Sequence, residues 1–336
     1  MISRGGVFAE LRSRMLSAFP QGTQAPFRGE ASLGDWIETG TYSVKGCSKQ
    51  SVELIASEMD FASRAMLEVE NLTNHCFEHI RELICFQTDA RPRSDAWAAV
   101  TAYYVGFFSA AALLRLIGSP VAFVNRQQVQ MLKAFGGSAH APSAGAFRFD
   151  LGPRISITQR EIRLTLTEKI HESTWKTALQ SIDQLNRDAN VSKHPEEADF
   201  YDSICTSAFR FPGVGFDWPS FVRSRANYRP GHAYKLKPHQ VGIGRTMECW
   251  RHADAADVFR VVRAAHLRCT SDTSTLTNQV GMMINVSFAL FLIVRALYEA
   301  LLIRHAIDRR WERSRALYRN QLSGHLNEFN AITACY

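Results

Sequence analysis

The sequence predicts a mainly α-helical protein, a bundle of long helices with a small β-hairpin insertion. Three observations predict it. Apolar residues recur at steps of three and four over much of the chain, the segment from Ala96 to Pro120 is apolar and rich in small residues, and alternation at period two is confined to Ala146 to Glu168. With 336 residues, 46% hydrophobic and 21% charged, the chain can bury a sizeable core. The expected organisation is a loosely ordered segment over 1–45, then one helical domain over 46–336 with the β insertion near 146–168.

The elements follow in order. Pro20, Pro26 and the turn formers around them disfavour a continuous helix before residue 45. Ser48 to Phe86 carries the amphipathic pattern of a long helix. TDARPRSD breaks it, and Ser94 or Asp95 can cap the next helix. That second helix, AWAAVTAYYVGFFSAAALLRLIG, stops where Gly118 and Pro120 cannot continue it. Its alanines and Gly106 let neighbouring helices approach around Tyr103, Tyr104, Phe107 and Phe108, which predicts a central helix. Asn125 to Phe135 reads as a third helix, and the Gly152-Pro153 turn splits Ala146 to Glu168 into two or three strands. Helices are expected again over Glu172 to Asp188, Glu196 to Phe209 and Asp254 to Arg268, with loops over Arg210 to Pro219 and Pro230 to Gly244. The uncharged run Thr273 to Val294 has the length of a bilayer span, but Asn278, Gln279, Asn285 and Ser287 favour a buried helix. It continues past Arg295 into a charged, amphipathic stretch, so one very long helix or two collinear ones are expected.

Composition narrows the functional classes. Seven scattered cysteines with no C-x-x-C pair argue against a disulfide scaffold or a zinc ribbon, and suit a reducing compartment. The basic N-terminal stretch lacks the continuous apolar region of a secretory signal, so the expected location is cytoplasmic, with no membrane partner. A net charge of +7 and a pI near 9.1 suit polyanionic partners, RNA first among them. His75 and His79 lie one helical turn apart with Glu78 and Glu82 nearby, but no further ligand pair completes a metal site, so no metal or cofactor is expected.

The segment AYYVGFFSAAALLRLIG resembles the second helix of the HEPN superfamily (higher eukaryotes and prokaryotes nucleotide-binding), where a paired-aromatic, small-residue helix recurs. RSRANYRPG adds a second likeness, an arginine shortly before an Asn-Tyr pair: Arg225, Asn227 and Tyr228. These three also fit a polar clamp that pins a loop to a helix end. The resemblance implies an HEPN-like helical bundle and a homodimer. It further implies a metal-independent endoribonuclease acting as a toxin-type effector in bacterial antiphage defence or a toxin–antitoxin pair, with RNA as partner and an antitoxin or other protein beside it.

The family's ribonucleases place a histidine after an arginine with four to six residues between them. Four pairs here meet that spacing, and Arg319 with His325 is preferred because the amide Asn320 follows the arginine directly. RNA carries its own nucleophile, the 2′-hydroxyl. A histidine near neutral pKa can accept that proton, and an arginine can hold the phosphate, so no metal is needed. On a continuous helix six residues turn the two side chains about 120° apart with about 9 Å of rise. A break at Gly324 or a dimer must then bring such a pair together.

Two clusters interleave arginine or lysine with aromatics, the composition that contacts phosphate while stacking on bases. The first supplies Arg223, Arg225, Asn227, Tyr228, Arg229, Lys235 and Lys237; the second supplies Arg309, Arg310, Arg313 and Arg315. They are the expected nucleic-acid contacts. The alternative function is a non-catalytic helical module that binds nucleic acid or a partner protein in a larger complex.

Overall fold

The computed structural model describes residues 6–21, 23, 32–88, 95–137, 141–188, 201–202, 204–205, 214–228 and 275–305. They form a mixed α/β fold in which a layer of helices adjoins a five-stranded antiparallel sheet. This corrects the expected HEPN-like bundle with a small hairpin. The hairpin forms, but as two strands of a larger sheet, and sheet pairing joins segments far apart in sequence that no local pattern links.

Two helices precede the sheet in the stretch expected to be loose: α1, Val7–Ala18, and α2, Leu33–Thr39. Each buries apolar side chains, Leu11 and Met15 from α1 and Leu33 and Trp36 from α2. A capping box between Ser32 and Asp35 opens α2 by satisfying backbone donors that a first turn leaves unpaired. Strands β1, Tyr42–Cys47, and β2, Ser51–Ser57, then form a hairpin. Its turn is held by Ser48, whose hydroxyl accepts from the Ser51 amide at 3.0 Å. The first long helix therefore starts at Glu58, not Ser48. The reason is that Val52, Leu54 and Ala56 alternate inward at period two and join the sheet core.

Helix α3, Glu58–Thr88, runs antiparallel to α4, Asp95–Leu116. The pairing is fixed by Cys76 beside Ser109 at one level and an ion pair of Glu68 with Arg115 at another. Gly118 (φ 79°) ends α4 in the left-handed conformation that favours glycine. Next come β3, Val121–Val124, and α5, Arg126–Gly136, capped by Asn125. Strands β4, Gly145–Arg154, and β5, Gln159–Leu166, follow, then α6, Ile170–Asp188. Trp218–Tyr228, part of it expected as loop, is α7, and Leu276–His305 is α8. The helix expected over Asp254 to Arg268 lies outside the described residues.

The strand order is β1-β2-β5-β4-β3, antiparallel throughout. One face buries Leu54, Phe147, Phe149, Ile162 and Leu164 against Trp36 and Ile37 of α2, Phe61 of α3 and Leu132 of α5. The opposite face carries charged pairs such as Arg163 with Glu53 at 2.5 Å. A second core lies among α1, α3, α4, α6, α7 and α8. Glu58, 4% exposed, joins the layers by pairing with Arg154 and Arg160 at 2.9 Å each, and Arg160 also donates to the Ser17 carbonyl.

Helices α4 and α8 are long and apolar enough to cross a membrane by length and composition, and their most apolar windows are 83% and 94% buried inside the protein. At the centre of the helical layer α4 touches α3, α6, α7 and α8. That explains a helix apolar nearly all round.

Candidate functional site

The ring-bearing stretch of α4 splits between two neighbours. Residues 103 and 107 are four apart and share one helical face, as do 104 and 108; the two pairs are offset by one residue, so they address different sides. Tyr104 and Phe108 look toward α3. His79 stacks on both, with ring centroids 5.6 Å away and planes within 18° and 14°. His75 lies 5.1 Å from Phe108. Tyr103 and Phe107 look toward α6, where His171 stacks on Phe107 at 4.1 Å and lies 6.1 Å from Tyr103.

Helix α7 closes this arc. Its guanidinium, Arg223, sits 5.5 Å from the Tyr103 ring and 5.6 Å from the Tyr104 ring, and donates to the Tyr104 hydroxyl at 2.9 Å. Ser220, one turn earlier, lies 3.1 Å from the Tyr103 hydroxyl, which also meets Nδ1 of His171 at 3.0 Å. A histidine, an arginine, two tyrosines and a serine thus converge from three helices. Apart from buried Tyr103, these residues are half-buried, within reach of solvent.

Electrostatics prepare His171 as a base. Burial lowers its pKa from the ordinary 6.5, and the nearby Arg223 charge lowers it further, against a smaller upward pull from Glu172. Burial raises the Tyr103 pKa, so the phenol keeps its proton at neutral pH. With the imidazole proton on Nδ1 donated to the Tyr103 oxygen, Nε2 is left to accept a proton.

Of the residues expected to contact nucleic acid, Arg223 belongs to this arc. Arg225 turns elsewhere: it donates to Oε1 of Gln279 at 2.9 Å and lies 5.5 Å from the Phe221 ring, tying α7 to α8. Asn227 is half-buried near the end of α7, and Tyr228 is that helix's last residue. Arg229, Lys235, Lys237, Arg309, Arg310, Arg313, Arg315 and the expected catalytic set Arg319, Asn320 and His325 lie outside the described residues.

His75 and His79 pair with carboxylates on their own helix, Glu78 at 3.0 Å and Glu82 at 3.5 Å. Among the described residues no group of three or more histidine, cysteine or carboxylate side chains is placed to hold a metal ion. His171 escaped the sequence reading because nothing near it in the chain marks it. Its partner Tyr103 is 68 residues away, and Tyr103 is 117 residues from Ser220. No family model, curated protein or solved structure matches this chain.

Proposed function

We propose that the protein binds RNA and cleaves it without a metal, with His171 as general base and Arg223 as the phosphate contact. The observation that carries this reading is the pairing of a histidine of lowered pKa with a guanidinium across one tyrosine pair. In the step itself Nε2 of His171 takes the proton of a ribose 2′-hydroxyl, and the 2′-oxygen attacks the adjacent phosphorus. The bond from phosphorus to the 5′-oxygen breaks, a 2′,3′-cyclic phosphate forms, and the leaving 5′-oxygen takes a proton from imidazolium or water. Arg223 stabilises the charge that builds on the phosphoryl oxygens. The likeness of the α4 sequence to the second helix of the HEPN superfamily supports the setting, a toxin-type effector of antiphage defence or of a toxin–antitoxin pair, acting in the cytoplasm and as a homodimer.

The test incubates single-stranded RNA and DNA with wild type, His171→Ala, Arg223→Ala and His325→Ala in EDTA. The expected result is RNA cleavage leaving cyclic phosphates, DNA left intact, and a loss of at least about 100-fold in His171→Ala. Loss confined to His325→Ala would move the reaction to the Arg319/His325 pair. Cleavage by none of the four proteins would leave the non-catalytic binding module as the function.

A further inference from the structure

We infer that the tip of the β4–β5 hairpin is a peripheral membrane anchor: Ile155 and Ile157 enter the interface of an anionic bilayer, and the arginines behind them meet lipid phosphates. The inference does not depend on the RNA reading. Ile157 is 97% exposed and Ile155 50% exposed, both on the four-residue tip Ile155-Ser156-Ile157-Thr158. Single apolar residues scattered over a surface are ordinary. Here two β-branched residues share a turn that holds no Gly, Pro, Asn or Asp, the residues that turn geometry favours. Local conformational preference does not place them there.

The tip is built so that taking it out of water costs little. The amides of Ile155 and Ser156 donate to the Gln159 carbonyl at 2.9 and 3.2 Å, and those of Thr158 and Gln159 donate to the Ser156 hydroxyl at 3.3 and 3.1 Å. The Thr158 carbonyl accepts from the Glu58 amide at 3.0 Å. Unpaired backbone groups are what normally keep a turn in water, and these are already satisfied. Glu58 also pairs with Arg154 and Arg160 at the base, so the tip projects as a fixed wedge.

Basic side chains stand behind the wedge. Exposed Arg154 lies no more than about 10 Å of chain behind Ile157. Arg160 donates to the Ser17 carbonyl at 2.7 Å, which brings the end of α1 alongside, and exposed Arg14 shares the helical face of Ser17 three residues before it. Glu10 is one turn further from the tip. Apolar points ahead of a basic rim match the layers of an anionic bilayer. A protein partner fits less well: the two isoleucines offer under about 200 Å² of apolar surface, against about 800 Å² that each side of a stable protein interface buries. The sheet beside them carries the charged pairs Lys45 with Glu161 and Arg163 with Glu53. A bilayer sets no minimum area. The docking is peripheral and departs from the expectation of no membrane partner; α4 and α8 take no part, being buried in the helical layer.

The test is co-sedimentation, without RNA, with vesicles of phosphatidylcholine alone or with about 30% phosphatidylglycerol. The protein should bind the anionic vesicles, bind pure phosphatidylcholine far less, and lose several-fold in affinity at high salt. Ile155→Ser/Ile157→Ser should lower the partition coefficient about tenfold or more, and Arg14→Glu should weaken binding to anionic vesicles alone. Ile155→Leu/Ile157→Leu should bind as wild type, because a fluid interface asks for apolar surface and not for one shape. Circular dichroism should show all variants folded, since the altered side chains are exposed. No sedimentation with anionic vesicles, or unchanged binding in the double serine variant, would overturn the inference. A dimer that dissociates in that variant, with no vesicle binding by wild type, would give the tip to a second copy of the chain instead.

Discussion

At His171, burial and a neighbouring guanidinium push in the same direction: each penalises the imidazolium, and Glu172 only partly offsets them. The histidine should therefore titrate below 6.5 when its ring protons are followed by NMR. Arg223→Gln removes the opposing charge and should move that midpoint upward, carrying the acidic limb of any pH–rate profile with it. An unchanged midpoint would mean that the guanidinium is too well screened to act on the ring. The sign for stability follows from the same shift. As pH falls through 6.5 the unfolded chain takes up the proton before the folded one, so this group stabilises the fold at neutral pH and ceases to in acid. Arg223 was legible beforehand as a member of a basic, aromatic cluster. Its target was not, because the tyrosines it meets belong to a helix more than a hundred residues earlier.

Among the elements, α4 shows how far local pattern reaches. Its small residues predict close neighbours, and Gly106 meets one: a β-carbon built there would come 2.7 Å from Cη2 of Trp175 and press on Ser287 of α8. Gly106→Ala should cost about 1–3 kcal/mol despite alanine's better helix propensity, because the crowded packing must shift. Urea unfolding measures it, and a stabilised variant would show that α8 can move away at little cost. The same residues were apparent in the sequence. What they face is not, and the sequence of β2 reads as the start of α3 because its apolar residues suit a continued helical pattern until the turn at Ser48 and the pairing with β5 are known.

For the whole molecule, the two cores are joined through Glu58, almost fully buried with guanidinium groups from β4 and β5 around it. Glu58→Gln leaves Arg160, 11% exposed, without its countercharge, and should destabilise the protein by about 3 kcal/mol. Since Arg160 also holds α1 through the Ser17 carbonyl, the sheet and helical layers should still unfold together. Coincident far-ultraviolet and near-ultraviolet transitions check that; separated transitions would show two units that unfold independently. By itself the sequence determined the central helix α4, the helices α5 and α6, the apolar run of α8, the β4–β5 hairpin and the arginine-rich segments. Helical hydrogen bonds join residues four apart and hairpin bonds join near neighbours, so these elements are written locally. Only the tertiary structure decided that β1, β2 and β3 complete a five-stranded sheet, and that His171 and Arg223 meet over Tyr103 and Tyr104. Sheet pairing and convergent side chains depend on which distant surfaces are buried against each other, and chain order does not record that.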